Sequence, residues 1–168
     1  MSLRAGNSGA VAERLLSGEA DLGFVEGVSV PPGLDFTVIA HDRLIVVTAP
    51  GHAWARRRRP LDASELAATP LILREKGSGT RQVLDAALGG LARPLIELSS
   101  TTAVKAAAVS GAGPAVLSEL AVGEELAMRR LVRVPVEGVA LARELRAVWP
   151  TGHRPVGPAR ELLSLTRG

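Results

Sequence analysis

The run Pro70-Leu71-Ile72-Leu73-Arg74-Glu75-Lys76-Gly77-Ser78-Gly79-Thr80-Arg81 reads as a strand, a turn and the first turn of a helix. Its apolar start does not alternate with polar residues. Such a continuous run is expected where a strand is buried on both faces, as in a sheet covered by helices. The two glycines punctuate it, and Val83, Leu84 and Leu88 then recur at helical spacing. A turn at the carboxyl end of a strand that opens a helix is where open α/β sheets place their ligands.

The same rhythm continues on both sides. Toward the N-terminus, residues 2–5 are expected as a short strand, followed by the turn Gly6-Asn7-Ser8-Gly9. A helix over about 9–18 carries Val11, Leu15 and Leu16 and stops at Gly18. Separate strands are expected at 21–25, 34–39 and 44–48. The basic stretch 51–60 is the composition break that best suits a lobe boundary. Asp62 is placed to cap a short helix through Glu65 and Leu66. Toward the C-terminus, strands are expected at 95–98, 115–117, 131–136 and 145–149. Helices are expected after Ser99-Ser100-Thr101-Thr102, ending at Gly111, and over about 118–128. A last helix begins near Pro155 and Pro158 and carries Leu162, Leu163 and Leu165. Strands alternating with helices imply an α/β sheet with both faces covered.

Composition narrows the function. The 168 residues are 46% hydrophobic and 22% charged, the balance of a globular chain long enough to bury its own core. The net charge of +3 is too small to argue for nucleic acid by itself. Aromatics amount to 2% (Phe24, Phe36, Trp54 and Trp149), which leaves no platform for stacking single-stranded bases. Without cysteine there is no disulfide framework and no thiolate nucleophile. His41, His52 and His153 are scattered, without metal-ligand spacing. No apolar run reaches the roughly 18 residues of a membrane span. The first residues lack the apolar core of a signal peptide, so the expected location is the cytoplasm.

Three hydroxyl-rich turns precede helices: Gly6-Asn7-Ser8-Gly9, Gly77-Ser78-Gly79-Thr80-Arg81 and Ser99-Ser100-Thr101-Thr102. A helix N-terminus offers free backbone N–H groups and a partial positive charge, and can cradle an anion. The same residue types also serve as plain helix caps. The guanidinium of Arg81 adds a possible bidentate grip on a carboxylate. No turn matches a phosphate-binding loop, a dinucleotide fingerprint or a nucleophile elbow. No acid–base pair stands out, and no cofactor is implied. Glu26 follows a strand end and either lines a cleft or is a solvated loop acid. Arg56, Arg57, Arg58 and Arg59 suit a solvated turn better than a phosphate site.

Read together, these segments resemble the effector-binding domain of LysR-type transcriptional regulators. The likeness is carried by Gly6-Asn7-Ser8, by the run from Leu15 through Asp21-Leu22-Gly23-Phe24-Val25-Glu26-Gly27, and by Asp42-Arg43-Leu44-Ile45-Val46-Val47 with Pro50-Gly51-His52. It continues through the opening run 70–81, then Glu97-Leu98-Ser99-Ser100-Thr101-Thr102-Ala103-Val104-Lys105 into Val109-Ser110-Gly111-Ala112-Gly113. The resemblance implies a two-lobed type II periplasmic-binding-protein-like fold with two crossover strands. Residues 1–41 and 141–168 would form an incomplete lobe I, and 42–140 lobe II. A small, anionic effector would lie in the cleft between lobes, against Asn7, Ser8, Glu26, Ser78, Gly79, Thr80, Arg81, Ser100 and Thr101. It implies a sensing domain with no catalytic residues. A solute-binding protein of a transporter would share this fold and is the alternative.

The family's winged helix-turn-helix, and the strand and helix that open its effector domain, have no counterpart in the 168 residues. DNA would therefore be reached only through a domain outside this chain. The resemblance also implies a homodimer. Its faces would be the helices carrying Val11, Leu15 and Leu16, and Leu120, Val122 and Leu126. Without a recognition helix, the chain alone is expected to give no sequence-specific footprint at physiological salt, only weak, salt-sensitive binding through its arginines. Protection of one defined DNA sequence would contradict this.

Overall fold

The structure, a computed structural model, describes residues 2–166. In chain order the elements are α1 (Ser8–Leu16), β1 (Gly23–Val25), β2 (Leu34–Thr48), a short 3₁₀ turn (Ala53–Arg56), β3 (Leu61–Asp62), α2 (Ala63–Ala68), β4 (Ile72–Arg74) and α3 (Gly79–Leu88). They continue with β5 (Ile96–Leu98), α4 (Thr101–Val109), β6 (Ala115–Ser118), α5 (Glu119–Ala127), β7 (Val132–Val134), β8 (Val136–Glu137), β9 (Ala142–Pro150) and α6 (Gly157–Leu165). The chain forms two compact units. The first holds Met1–His41, Gly77–Gly79 and Arg143–Gly168, and the second holds Asp42–Lys76 and Thr80–Ala142. The chain passes from one unit to the other within β2 and again within β9.

The second unit is built on the sheet order β5-β4-β6-β2, with β7 on the other edge of β2. β4 runs parallel to β5 and β6, while β2 is antiparallel to β6 and β7. The continuous apolar runs have a direct reading here. Successive strand residues point to opposite faces. Leu44 and Val46, with Leu71, Leu73 and Val116, join Leu66 of α2 and Val83 and Leu84 of α3 in one core. Ile45 and Val47, with Ile72, Ala115 and Leu117, join Val104 and Ala108 of α4 and Val122 of α5 in the other. Neither face is left for water, so neither face can be polar. A short parallel pair, β3 with β8, closes beside them.

In the first unit the order is β1-β9-β2, with β1 antiparallel to β9. α1 lies on this sheet, and Ala12 and Leu15 pack with Val25, Leu34 and Val148 in a smaller core. Leu163 of α6 is also buried. Asn7 caps α1 by accepting the Ala10 N–H at 2.9 Å, and Gly18 follows it with a positive φ of 77°.

Several expectations are corrected. Residues 2–5 form no strand. The separate strands at 34–39 and 44–48 are one strand, because the polar break at His41-Asp42-Arg43 stays extended. Arg43 there forms a bidentate ion pair with Glu119, at 2.7 and 3.1 Å, and Glu119 also takes Arg133. The Arg43 bond is the main reason the Glu119 carboxyl is held below the usual range. The strand at 131–136 divides at Pro135, which lacks the N–H to continue a ladder. The basic stretch 51–60 marks no boundary but lies inside the second unit. Its His52 accepts the Trp54 N–H and stands edge-on to that ring, and Arg57 pairs with Glu65. Leu15 and Val122 are buried in their own units, so the apolar face expected on those helices reduces to Leu16 and Leu120, 52% and 70% exposed.

Glu125 of α5 lies 5% exposed, and its Oε1 takes both Lys105 at 3.0 Å and Arg130 at 3.2 Å. The Lys105 bond, chiefly, holds its carboxyl below the usual 4.5. A folded-state value below the unfolded one contributes stability above the unfolded value, and this is lost as pH falls through the folded one. The stability advantage of wild type over Glu125→Gln is therefore expected to shrink below about pH 4.5. Urea titrations giving an advantage that stays constant through the acid transition would contradict it.

Candidate functional site

The polar residues of the first unit converge on the segment Gly77–Gly79, which clusters with that unit although both its flanks belong to the second. Gly77 has a φ of 91°, a left-handed conformation that side chains rarely adopt. Its carbonyl accepts the Gly9 N–H at 3.0 Å, at the start of α1. A Cβ on Gly77 would stand 3.2 Å from the Asn7 side-chain amide, a tight contact. Gly79 is required for a different reason. A Cβ on it would sit 2.6–2.7 Å from the backbone and Cγ of Glu26. No side chain fits between them.

Between these glycines stands Ser78, 1% exposed, immediately before the first residue of α3. Its Oγ is buried and has no hydrogen-bond partner. A buried hydroxyl without a partner costs free energy on the order of 1–3 kcal/mol. It stands at the end of a helix of 10 residues, whose first N–H groups carry the positive end of the dipole.

The loop after β1 is held tightly around Glu26. The Ser8 Oγ accepts the Glu26 N–H at 3.2 Å. The Arg146 Nη1 donates to the Gly27 carbonyl at 2.8 Å, while its guanidinium lies 5.4 Å from the centre of the Phe36 ring. The Arg143 Nη2 meets the Glu26 Oε2 at 2.8 Å, and the two side chains are 4% and 31% exposed. Arg143 and Arg146, both on β9, thus hold adjacent residues of one loop.

The second unit carries the other sequence-predicted residues. Thr80 and Arg81 are buried in the first turn of α3. The Arg81 Nε bonds both Asp85 oxygens at 2.9 and 3.0 Å, and its Nη1 reaches Glu97 at 3.4 Å. Its charge is thus met by two carboxylates of this chain. Ser100 caps α4 by accepting the Ala103 N–H at 3.0 Å. The Thr101 Oγ1 accepts from Arg74 Nη1 at 2.7 Å, while Arg74 also holds Glu75 at 2.8 and 3.1 Å. Asn7 and Ser100 therefore act as caps, Ser8 and Glu26 as parts of one clamp, and Ser78 and Gly79 as its neighbours. Sequence reasoning missed Arg74, Arg143 and Arg146. Arg74 lies within the run 70–81 but reaches Thr101, and Arg143 and Arg146 reach Glu26 and Gly27, contacts too distant along the chain to be read from spacing. Among the described residues no group of three or more His, Cys, Asp or Glu could hold a metal ion.

The architecture is that of a regulatory domain with the type II periplasmic-binding-protein-like fold. The chain belongs to the LysR substrate binding domain family, whose model matches residues 1–168. The family is one of regulators and not of enzymes. An uncharacterized HTH-type transcriptional regulator of Mycobacterium tuberculosis is 47% identical over 170 residues, which cover 96% of this chain and 54% of that protein. The HTH-type regulator YeiE of Escherichia coli is 34% identical, covering 92% of this chain and 52% of its own length. The chain thus spans about half the length of the curated relatives it matches. Among solved structures, the Synechocystis CcmR regulatory domain in complex with 2-PG superposes with a TM-score of 0.82. It is 25% identical, and the match covers 99% of this chain and 81% of that one. The effector binding domain of QuiR in complex with shikimate shares the fold, with a TM-score of 0.78 at 17% identity, over 96% of this chain and 77% of that one.

The close approach at Gly79 generates a direct test. Gly79→Ala forces an overpacked contact against the Glu26 backbone and is expected to cost about 1–3 kcal/mol. Gly90, with nothing within 4 Å of an added Cβ, is the control and should lose about 0.5 kcal/mol or less. Equal urea midpoints for the two variants would contradict the packing account.

Proposed function

We propose that this chain is the effector-sensing and dimerising part of a cytoplasmic transcription regulator. Its ligand is a small anion or carboxylate, held at the N-terminal end of α3. Binding changes how a helix-turn-helix portion of the full-length protein engages DNA. Such control requires the ligand to have different affinities for the two states it shifts between. The observation that carries the reading is the buried, unpartnered Ser78 hydroxyl at a helix N-terminus. An oxyanion there would take the hydroxyl proton and the first helical N–H groups together. The regulatory domain of like fold in complex with 2-PG supports a small-molecule ligand. Thr80, Arg81, Ser100 and Thr101 are proposed as further contacts, Arg81 only if the ligand competes with Asp85 and Glu97. Pairing of two copies through the helices that carry Leu16 and Leu120 is part of the same proposal.

Inorganic phosphate should raise the melting temperature of the wild-type chain, by an amount equivalent to about 2.7 kcal/mol at 100 times its dissociation constant. Ser78→Ala should abolish that rise. The same variant should leave the ligand-free chain as stable as wild type or more so, because it removes a hydroxyl that has no partner. An unchanged phosphate shift in Ser78→Ala would overturn the assignment.

A further inference from the structure

The Glu26–Arg143 pair combines a nearly sealed guanidinium with a carboxylate that is about a third exposed. A buried cation needs an anion beside it, since removing one partner of such a pair is strongly unfavourable. Nothing requires that anion to be Glu26. The backbone of residue 26 is fixed by Ser8 and by the close approach to Gly79, and residue 27 by Arg146. Only the Glu26 side chain is left to move, and it lies at the solvent edge. Its Cγ stands against Gly79, next to Ser78 and the start of α3. An anion arriving at that helix end meets Arg143 as an attraction and the Glu26 carboxylate as both a repulsion and a competitor.

We infer that Glu26 is a specificity-determining residue: an internal carboxylate that occupies Arg143 in the ligand-free chain and is displaced to solvent when an anionic effector takes its place. This rests on the reading of an anion site at Ser78. It implies a ligand with at least one carboxylate or phosphate group. It also implies an affinity set below the site's capacity, because each binding event must first break the internal pair.

The test is calorimetric titration of inorganic phosphate into wild type, Glu26→Gln and Glu26→Asp. Glu26→Gln removes both the competitor and the repulsion, and should bind phosphate about tenfold or more tightly than wild type. Glu26→Asp keeps the charge on a side chain one methylene shorter and should bind with intermediate affinity. It carries the test if Glu26→Gln fails to fold. A Glu26 that only braces its loop, away from the bound anion, would leave affinity unchanged or weaken it on substitution. If wild type binds phosphate and loses it in Ser78→Ala, but neither Glu26 variant binds more tightly, the inference is overturned while the anion site stands. If no variant binds phosphate, both fall.

Discussion

The polar residues of the first unit are arranged around one buried charge. Arg143 lies on β9, just after the chain re-enters that unit, and its side chain is almost out of reach of water. A guanidinium in that position needs an anion beside it, because a buried charge left without a partner is strongly unfavourable. Glu26 supplies one such partner, and its backbone lies at the centre of the surroundings. The backbone at residue 26 comes so close to residue 79 that only glycine fits there. Ser8 at the start of α1 is turned to hold the same peptide. Ser78 directly precedes Gly79, at the opening of α3.

The second unit works on a different principle. Its sheet is apolar on both faces, and Leu44 and Val46 serve one core while Ile45 and Val47 serve the other. Such a layer is stabilised by burial, at roughly 25 cal/mol per Å² of apolar area. Charged residues flank these cores, as in the Glu125 and Glu119 clusters, and some of them, Glu125 among them, are themselves buried. The polar residues of greatest interest there, Arg74 and Arg81, are already matched by carboxylates of the same unit. In the first unit, by comparison, an unpartnered Ser78 hydroxyl stands directly before a helix and the Glu26 carboxylate is partly exposed.

Much of the second unit was legible in the sequence because its signals are local. The apolar runs at 44–48 and 70–73 identify doubly covered strands, and Asp62 and Ser100 fall where caps belong. Local signals also misled. His41-Asp42-Arg43 reads as a break, yet Glu119, distant along the chain, satisfies Arg43 and β2 runs on. Leu15 and Leu16 cannot share a helix face, since consecutive residues point about 100° apart, and only Leu15 is buried. The turn at 77–81 was identified from its glycines, but the reasons for them, Asn7 and Glu26, were not. Arg143 gave no signal at all: a single arginine in a strand declares neither its burial nor its partner.

The central claim is that an anion binds at the start of α3, beside Ser78 and the Glu26–Arg143 pair. Amide chemical-shift mapping by NMR, with phosphate titrated into the wild-type chain, tests this most directly. The account predicts saturable shifts that are largest at the amides of Ser78, Gly79 and Thr80, with a coupled shift at Glu26. Shifts that are largest in the arginine loop from Arg56 to Arg59, or that grow without saturation across the surface, would contradict it.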